Sequence, residues 1–341
     1  MKIANARSAT AVRAGLVAAM ATVVALGAHG YVSAANQDNG VDGQSAEQSD
    51  SSEDDAQSST LQATPFTTAD VGDCLTWNTD EAGVVSDFEQ VPCSGEHRFE
   101  ISAREDLAAY PSSEFGPDAS VPDVTRQAQL REELCAAPTL RYLDGRFDPV
   151  GRFSIAPILP SAEAWTNGDR TMLCGLQSTD ADGIPIPTIG PISTQDQARV
   201  NQPEACVAVD SSRAWNVVDC TEPHQMETTL IVDLLPIFPE GTPTIEDQDG
   251  HLAEVCTQAA QDYLGGEEEL YQSTLQAYWG TIDQSSWIGG SHSVNCSLVH
   301  ANEEGGFSTL EGTARDGRDG FTINGQPPAE QPTRDPLVET G

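Results

Sequence analysis

"CSGEHRFE", residues 93–100, and "CTEPHQME", residues 220–227, share the pattern Cys-x-x-x-His-x-x-Glu at a separation of 127 positions. The pattern is one link in a longer match. The eight cysteines fall into two sets of four: Cys74, Cys93, Cys135 and Cys174, then Cys206, Cys220, Cys256 and Cys296. Their gaps are 19, 42 and 39 in the first set and 14, 36 and 40 in the second. Each third cysteine opens Cys-x6-Tyr-Leu-x-Gly, with Tyr142, Leu143 and Gly145, then Tyr263, Leu264 and Gly266. Each fourth cysteine closes Trp-x2-Gly-x5-Cys, with Trp165 and Gly168, then Trp287 and Gly290. Matches in one order over this length predict an internal duplication of a domain of about 110 residues, not a short solenoid repeat.

Local patterning predicts the same elements in both copies. "CLTWN" (74–78), "FEQVPC" (88–93) and "HRFEISA" (97–103) read as three short strands. "ACVAV" (205–209), "WNVVDC" (215–220) and "METTLIVDL" (226–234) are their counterparts. A helix follows. Thr244 with Asp247 offers a capping-box start, as does Ser120 with Asp123. Leu252, Val255, Cys256, Ala259, Ala260, Tyr263 and Leu264 lie on one helical face, with the cysteine in its middle. Pro138 stands where the second copy has Ala259, so the first helix should be kinked or shortened. "RTMLCGL" (170–176) and "HSVNCSL" (292–298) supply a last strand. The expected fold is α+β: two tandem homologous disulfide-stabilised domains, each a small antiparallel sheet with one main packed helix.

Composition divides the chain further. Lys2, Arg7 and Arg13 precede an uncharged apolar run, Ala14 to Ala28, so residues 1–35 read as a signal peptide or an N-terminal membrane anchor. Residues 36–64 are rich in Ser, Gln, Asp and Glu and read as a disordered acidic stalk. The domains are expected over 65–178 and 203–310, with a linker at 179–202 and a flexible tail at 311–341. Beyond residue 35 the chain carries 53 acidic against 13 basic residues, a net charge near −40. Such a surface repels nucleic acid and anionic head groups, so contact with a membrane is expected only through the N-terminal segment.

Export places the cysteines in an oxidising compartment, where disulfides are expected over zinc, because structural zinc sites bring cysteine pairs two to four residues apart. Four cysteines allow three pairings. First-to-second and third-to-fourth is favoured: one bridge would staple neighbouring strands, the other would tie the helix face to the last strand.

His97 with Glu100 and His224 with Glu227 are the candidates for binding or acid–base chemistry. Residues three apart on a strand point to opposite faces, which is poor geometry for a dyad. The plainer reading has the histidine filling a turn, bonded to backbone, while the glutamate pairs locally. Trp165 and Trp287 lie in loop-like sequence and read as core, with ligand recognition the alternative. Arg170 reads as the partner of a carboxylate. No hydrolase, metalloprotease or phosphate-loop motif occurs, "EDQDG" (246–250) fails the calcium-loop spacing, and no cofactor or metal is expected.

"VGDCL", "VPCSGEHRFE", the helical cysteine, "W-x-x-GDR" and the last cysteine together resemble the septum-formation domain family of actinobacterial envelope proteins. The likeness covers residues 70–176 and, more weakly, 204–298, where "PEACVAV" lacks the Gly-Asp and no Gly-Asp-Arg follows the tryptophan. The resemblance implies an N-terminal membrane segment, an extracellular Cys-rich region and a role at the division septum. The function expected is a non-catalytic envelope protein presenting two Cys-rich binding modules to an envelope or division protein or a wall component. The alternatives are an exported hydrolase of wall polymer or peptide using His97, Glu100, His224 and Glu227, and an extracellular ligand-binding or inhibitor protein.

Overall fold

The computed structural model describes residues 65–333, apart from 80–84, 111–112, 181–182 and 211–213. The expected leader (1–35) and stalk (36–64) lie outside the described residues, as does the tail from 334.

The fold is mixed α and β, with antiparallel sheets, few helices and four disulfides. The first half contains β1 (Cys74–Thr79), β2 (Val85–Val91), β3 (Glu96–His97), β4 (Phe99–Asp106), β5 (Phe153–Ile158), β6 (Thr171–Thr179), β7 (Pro185–Ile186) and β8 (Thr188–Ile189). The second contains β9 (Cys206–Val209), β10 (Trp215–Val218), β11 (Met226–Asp233), β12 (Gln276–Trp279), β13 (Ser293–Val299), β14 (Leu310–Gly312) and β15 (Phe321–Ile323). The main strands run β2-β1-β4-β6-β5 in one sheet and β10-β9-β11-β13-β12 in the other.

Registers agree as well as order. Cys74 lies opposite Val91 and Glu100, and Cys206 lies opposite Val218 and Glu227. Both long strands are irregular at one place, between Ile101 and Ala103 and between Thr228 and Leu230. An extra residue there shifts the two-residue alternation, so Ile101 joins the core on one face of its sheet and Ala103 the core on the other. The edge strands β5 and β12 escaped the sequence reading: they are short and lack clean alternation.

Helices cover one face of each sheet. In the second half α4 (Ile245–Leu264) starts on the expected capping box, the Thr244 side chain accepting from the Asp247 N–H while Asp247 accepts from the Thr244 N–H. It buries Leu252, Cys256 and Ala260, the expected face. In the first half α1 (Val124–Leu130) and α2 (Ala136–Tyr142) are joined by a wider π turn, Arg131–Cys135. The turn lies just before Pro138, which has no N–H to complete a regular ladder. Its cap differs from expectation: Asp123, not Ser120, accepts from Arg126 N–H. Three short helices, α3 (Ala162–Thr166), α5 (Glu267–Ser273) and α6 (Gln284–Gly289), complete the set.

The disulfides pair Cys74 with Cys93, Cys135 with Cys174, Cys206 with Cys220 and Cys256 with Cys296, the favoured pairing. Cys135–Cys174 and Cys256–Cys296 join helix to last strand inside two equivalent cores, beside Trp165 and Leu130 in one and Trp287 and Leu252 in the other. A bridge closing a loop of about 40 residues contributes roughly 3–4 kcal/mol on the chain-entropy account.

The segments read as linker and tail differ most from expectation. Residues 179–202 carry β7, β8 and a 3-10 turn, Ile192–Thr194, with Ile192 and Ala198 buried. Residues 310–323 carry β14, β15 and a 3-10 turn, Ala314–Asp316, with Leu310, Ala314 and Phe321 buried. Their glycines and prolines set turns: Gly190 and Gly312 occupy matching positions at φ 89° and 90°, which a side chain would strain. The halves also touch. Ser291 donates to Asp148 (2.6 Å), and Gln197 bridges the two, its side chain accepting from the Asp148 N–H (2.9 Å) and its N–H donating to the Gly290 carbonyl (3.0 Å).

Cys135, Cys174, Cys256 and Cys296 are fully buried, whereas Cys93 and Cys220 are partly exposed. Thiolate attack needs access. A rising dithiothreitol series followed by alkylation and mass spectrometry should therefore open Cys74–Cys93 and Cys206–Cys220 before either helix–strand bridge.

Candidate functional site

In both halves the Cys-x-x-x-His-x-x-Glu segment runs from a turn into the central strand. The turn begins at a cysteine tied to the neighbouring strand. Its histidine pairs with a strand from much later in the chain. His97 lies opposite Thr188 in the β3–β8 ladder, and His224 exchanges both backbone bonds with Leu310 (3.0 and 2.7 Å). The Cys93 carbonyl accepts from Gly190 N–H (2.8 Å), as the Cys220 carbonyl accepts from Gly312 N–H (2.7 Å).

Both imidazoles are fully buried. His97 Nδ1 lies 3.0 Å from the Gly95 carbonyl and His224 Nδ1 lies 2.8 Å from the Glu222 carbonyl. A carbonyl only accepts, so Nδ1 carries a proton in each ring. Both Nε2 atoms are buried, and neither has a hydrogen-bond partner among the described residues. The expected backbone-bonded histidine in a turn is what the structure contains.

The glutamates do more than pair locally. Glu100, fully buried, accepts from the Tyr142 hydroxyl (2.8 Å), the Ser193 N–H (3.1 Å) and the Ile192 N–H. Glu227, also fully buried, accepts from the Tyr263 hydroxyl (2.6 Å), the Ala314 N–H (2.8 Å) and the Thr313 hydroxyl. A buried carboxylate is costly unless its oxygens are bonded, and here three donors meet each one. One donor comes from the helix and two from the closing turn, so each carboxylate joins sheet, helix and following segment. Burial, reinforced by the carboxylate, pushes the Tyr142 hydroxyl up to about 12 and raises that of Tyr263 as well. The tyrosines stood in the repeated motif, but nothing in sequence tied them to the glutamates. The closing turns, "TIGPIS" (188–193) and "LEGTAR" (310–315), lay in stretches whose composition reads as unstructured.

Cys74, Cys93 and Glu100 bring possible ligand atoms within 4.8 Å of one another, as do Cys206, His224 and Glu227. All these sulfurs are in disulfides, and a metal-binding cysteine is a thiolate. The clusters are sheet–disulfide junctions.

The remaining candidates are core. Trp165 lies on α3 and Trp287 on α6, both buried and neither in the loops expected for them. Trp165 Nε1 donates to the Ala119 carbonyl (2.7 Å), and the Trp287 ring stands edge-on to His292 at 4.9 Å. The Arg170 guanidinium lies 4.1 Å above the Trp165 ring. Arg170 does not bond a carboxylate as expected. It donates to four carbonyls: Phe115 (3.0 Å), Gly116 (2.8 Å), Asp169 (3.0 Å) and Trp165 (2.5 Å).

The family described as septum formation matches residues 71–296. Two Mycobacterium tuberculosis proteins, one from each of two strains and each named an uncharacterized membrane protein, are 35% identical to the chain over 267 residues. The match covers 76% of this chain and 58% of each relative, so the chain spans less than two thirds of the relatives' length. No solved structure matches. Among the described residues no helix is long and apolar enough to cross a membrane.

Removing a buried carboxylate orphans three donors. Glu227→Ala should lower stability by about 3 kcal/mol or more and Glu227→Gln by about 1–2 kcal/mol, read from urea unfolding. The tyrosines add an alkaline limit. The folded Tyr142 keeps its proton above the ordinary value near 10, so its contribution is intact below pH 10 and is lost as pH rises toward 12. Tyr142→Phe should flatten the fall in stability measured between pH 10 and 12.

Proposed function

The chain belongs to the septum-formation family, and from that premise we propose that it is a non-catalytic protein of the cell envelope, acting outside the cytoplasm in septum formation or wall growth. Four disulfides favour an oxidising compartment, and the relatives' names favour a membrane association. The observation that carries the non-catalytic reading is the full burial of both His–Glu pairs. A general base needs reach to a substrate proton, and these side chains are enclosed by strand, disulfide and closing turn.

We further propose that the two halves are tandem copies of one domain, on the strength of matched strand order, registers, disulfides and glutamate clusters. Bonds from Asp148 to Ser291 and through Gln197 link the halves, which supports a partner meeting both surfaces together. That partner is an envelope or division protein or a wall component.

A tagged chain should stay with the cell envelope and gather at division sites, and its deletion should disturb septation. Uniform release into the medium with normal division would contradict the proposal. His97→Gln and His224→Gln should lower stability while leaving any envelope retention of the folded protein unchanged.

A further inference from the structure

The two sheets present different faces on the side away from their main helices. In the first half that face is a packed core. Leu75, Trp77, Phe99, Ile101 and Leu173 are buried together, with Phe66 laid across them from the segment before β1. Phe88 stacks on Trp77 at 5.9 Å and meets Phe66 at 5.9 Å. In the second half the matched registers place smaller or more polar residues at the same stations. Val209 stands for Trp77, Thr228 for Ile101 and Asn295 for Leu173. Eight residues before the first cysteine, Ala198 stands for Phe66. Gly280 stands for Ile158, one residue beyond the partner of the fourth cysteine.

The result is a cavity of about 420 Å³, with Val207, Met226 and Tyr278 among its lining and Trp215 beside them. Trp215 occupies the station of Phe88 and, with neither of that ring's two aromatic partners, is 54% exposed. Truncating a packed core costs stability, and polar residues placed in it cost more. Thr228 shows this directly: it lines the cavity, is 1% exposed, and its hydroxyl has no partner. A volume of this size is within the roughly 300–1,000 Å³ of small-ligand sites, which combine apolar walls with a few polar groups.

We infer that this cavity is a binding site for a neutral sugar unit of a glycan. The inference rests on the envelope role proposed above and names the class of wall component. A pyranose has an apolar C–H face that stacks on an indole, here Trp215, and a rim of hydroxyls that pair with side-chain hydroxyls, here Thr228, Thr281 and Ser297. Charge selects the neutral class. Asp148 and Asp283 stand on the walls against one cation, Arg199, in a chain with net charge −37. An acidic sugar is disfavoured. An extended peptide, which is what Phe66 and its neighbours amount to in the first half, is disfavoured too. The first half grips that segment by Arg104, which donates to the Thr67 (2.7 Å) and Ala69 (2.6 Å) carbonyls. The corresponding position in the second half is Ile231, and there Asn295 holds the chain's own Asn201 by its N–H (2.7 Å) and carbonyl (2.8 Å), so the backbone station a peptide would take is already filled.

The test titrates the full exported chain with a β-1,4-linked N-acetylglucosamine tetramer, following tryptophan fluorescence and heat. Saturable binding is expected. Trp215→Ala, at an exposed position, should weaken it at least tenfold. Ala198→Phe, which refills the cavity as Phe66 does, should also weaken it at least tenfold with a melting temperature unchanged or raised. Absence of saturable binding, binding that Ala198→Phe leaves unchanged, or saturation by the peptide Thr-Pro-Phe-Thr-Thr-Ala with none by the sugar would overturn the inference. Sugar binding lost with envelope retention intact sinks the ligand class alone. Sugar binding by a chain that is released into the medium sinks the envelope role alone.

Discussion

Each half of this protein is organised around a carboxylate that has been removed from water. Glu100 and Glu227 lie directly across the ladder from Cys74 and Cys206, the first cysteines of their halves. A buried carboxylate must find donors, and strand neighbours cannot supply them, because their N–H groups are already used in the ladder. The donors come from a tyrosine on the helix and from the turn that follows the last strand. Satisfying one charge therefore fixes two separate parts of the chain, the helix and the closing turn, in relation to the sheet. The disulfides add covalent limits to the same arrangement, one at the turn entering the strand and one between helix and last strand.

Seen this way, the histidine is an accessory to the turn. Its Nδ1 holds the turn by a carbonyl, and its backbone offers an edge to the returning strand. The motif that looked most like chemistry holds the turn, sheet and closing segment together in both halves. What the halves do not share is the opposite face. The first half fills that face with its own Phe66, while the second leaves an open, partly polar hollow beneath Trp215. The difference between the halves is concentrated where the carboxylate network does not reach.

Much of the fold was legible in the residues. Alternating apolar strands, the Thr244 capping box and the apolar face through Cys256 led directly to β9, β11, β13 and α4. Of the three pairings that four cysteines allow in each half, placing each cysteine on its element favoured the one observed. Three things were not legible, each for a physical reason. The edge strands β5 and β12 are short and half-exposed, so alternation is blurred. The closing segments are rich in Gly and Pro, which serve disordered chain and tight turns equally, and only the Glu100 and Glu227 acceptors decide between them. Arg170 looked like half of an ion pair, but the peptide carbonyls of Phe115, Gly116, Trp165 and Asp169 had the better geometry. The site residues were found as a pattern, while their partners Tyr142, Tyr263, Ile192 and Ala314 needed the folded distances.

The most direct measurement is amide hydrogen exchange at the closing turns, residues 188–194 and 310–316, in the intact chain and in Glu100→Ala and Glu227→Ala. If the carboxylates organise each half, the amides of Ile192, Ser193 and Ala314 are protected in the intact chain. Protection is then lost in the turn facing the changed glutamate and kept in the other. Rapid exchange at these amides in the intact chain, or protection that survives both substitutions, would contradict the account.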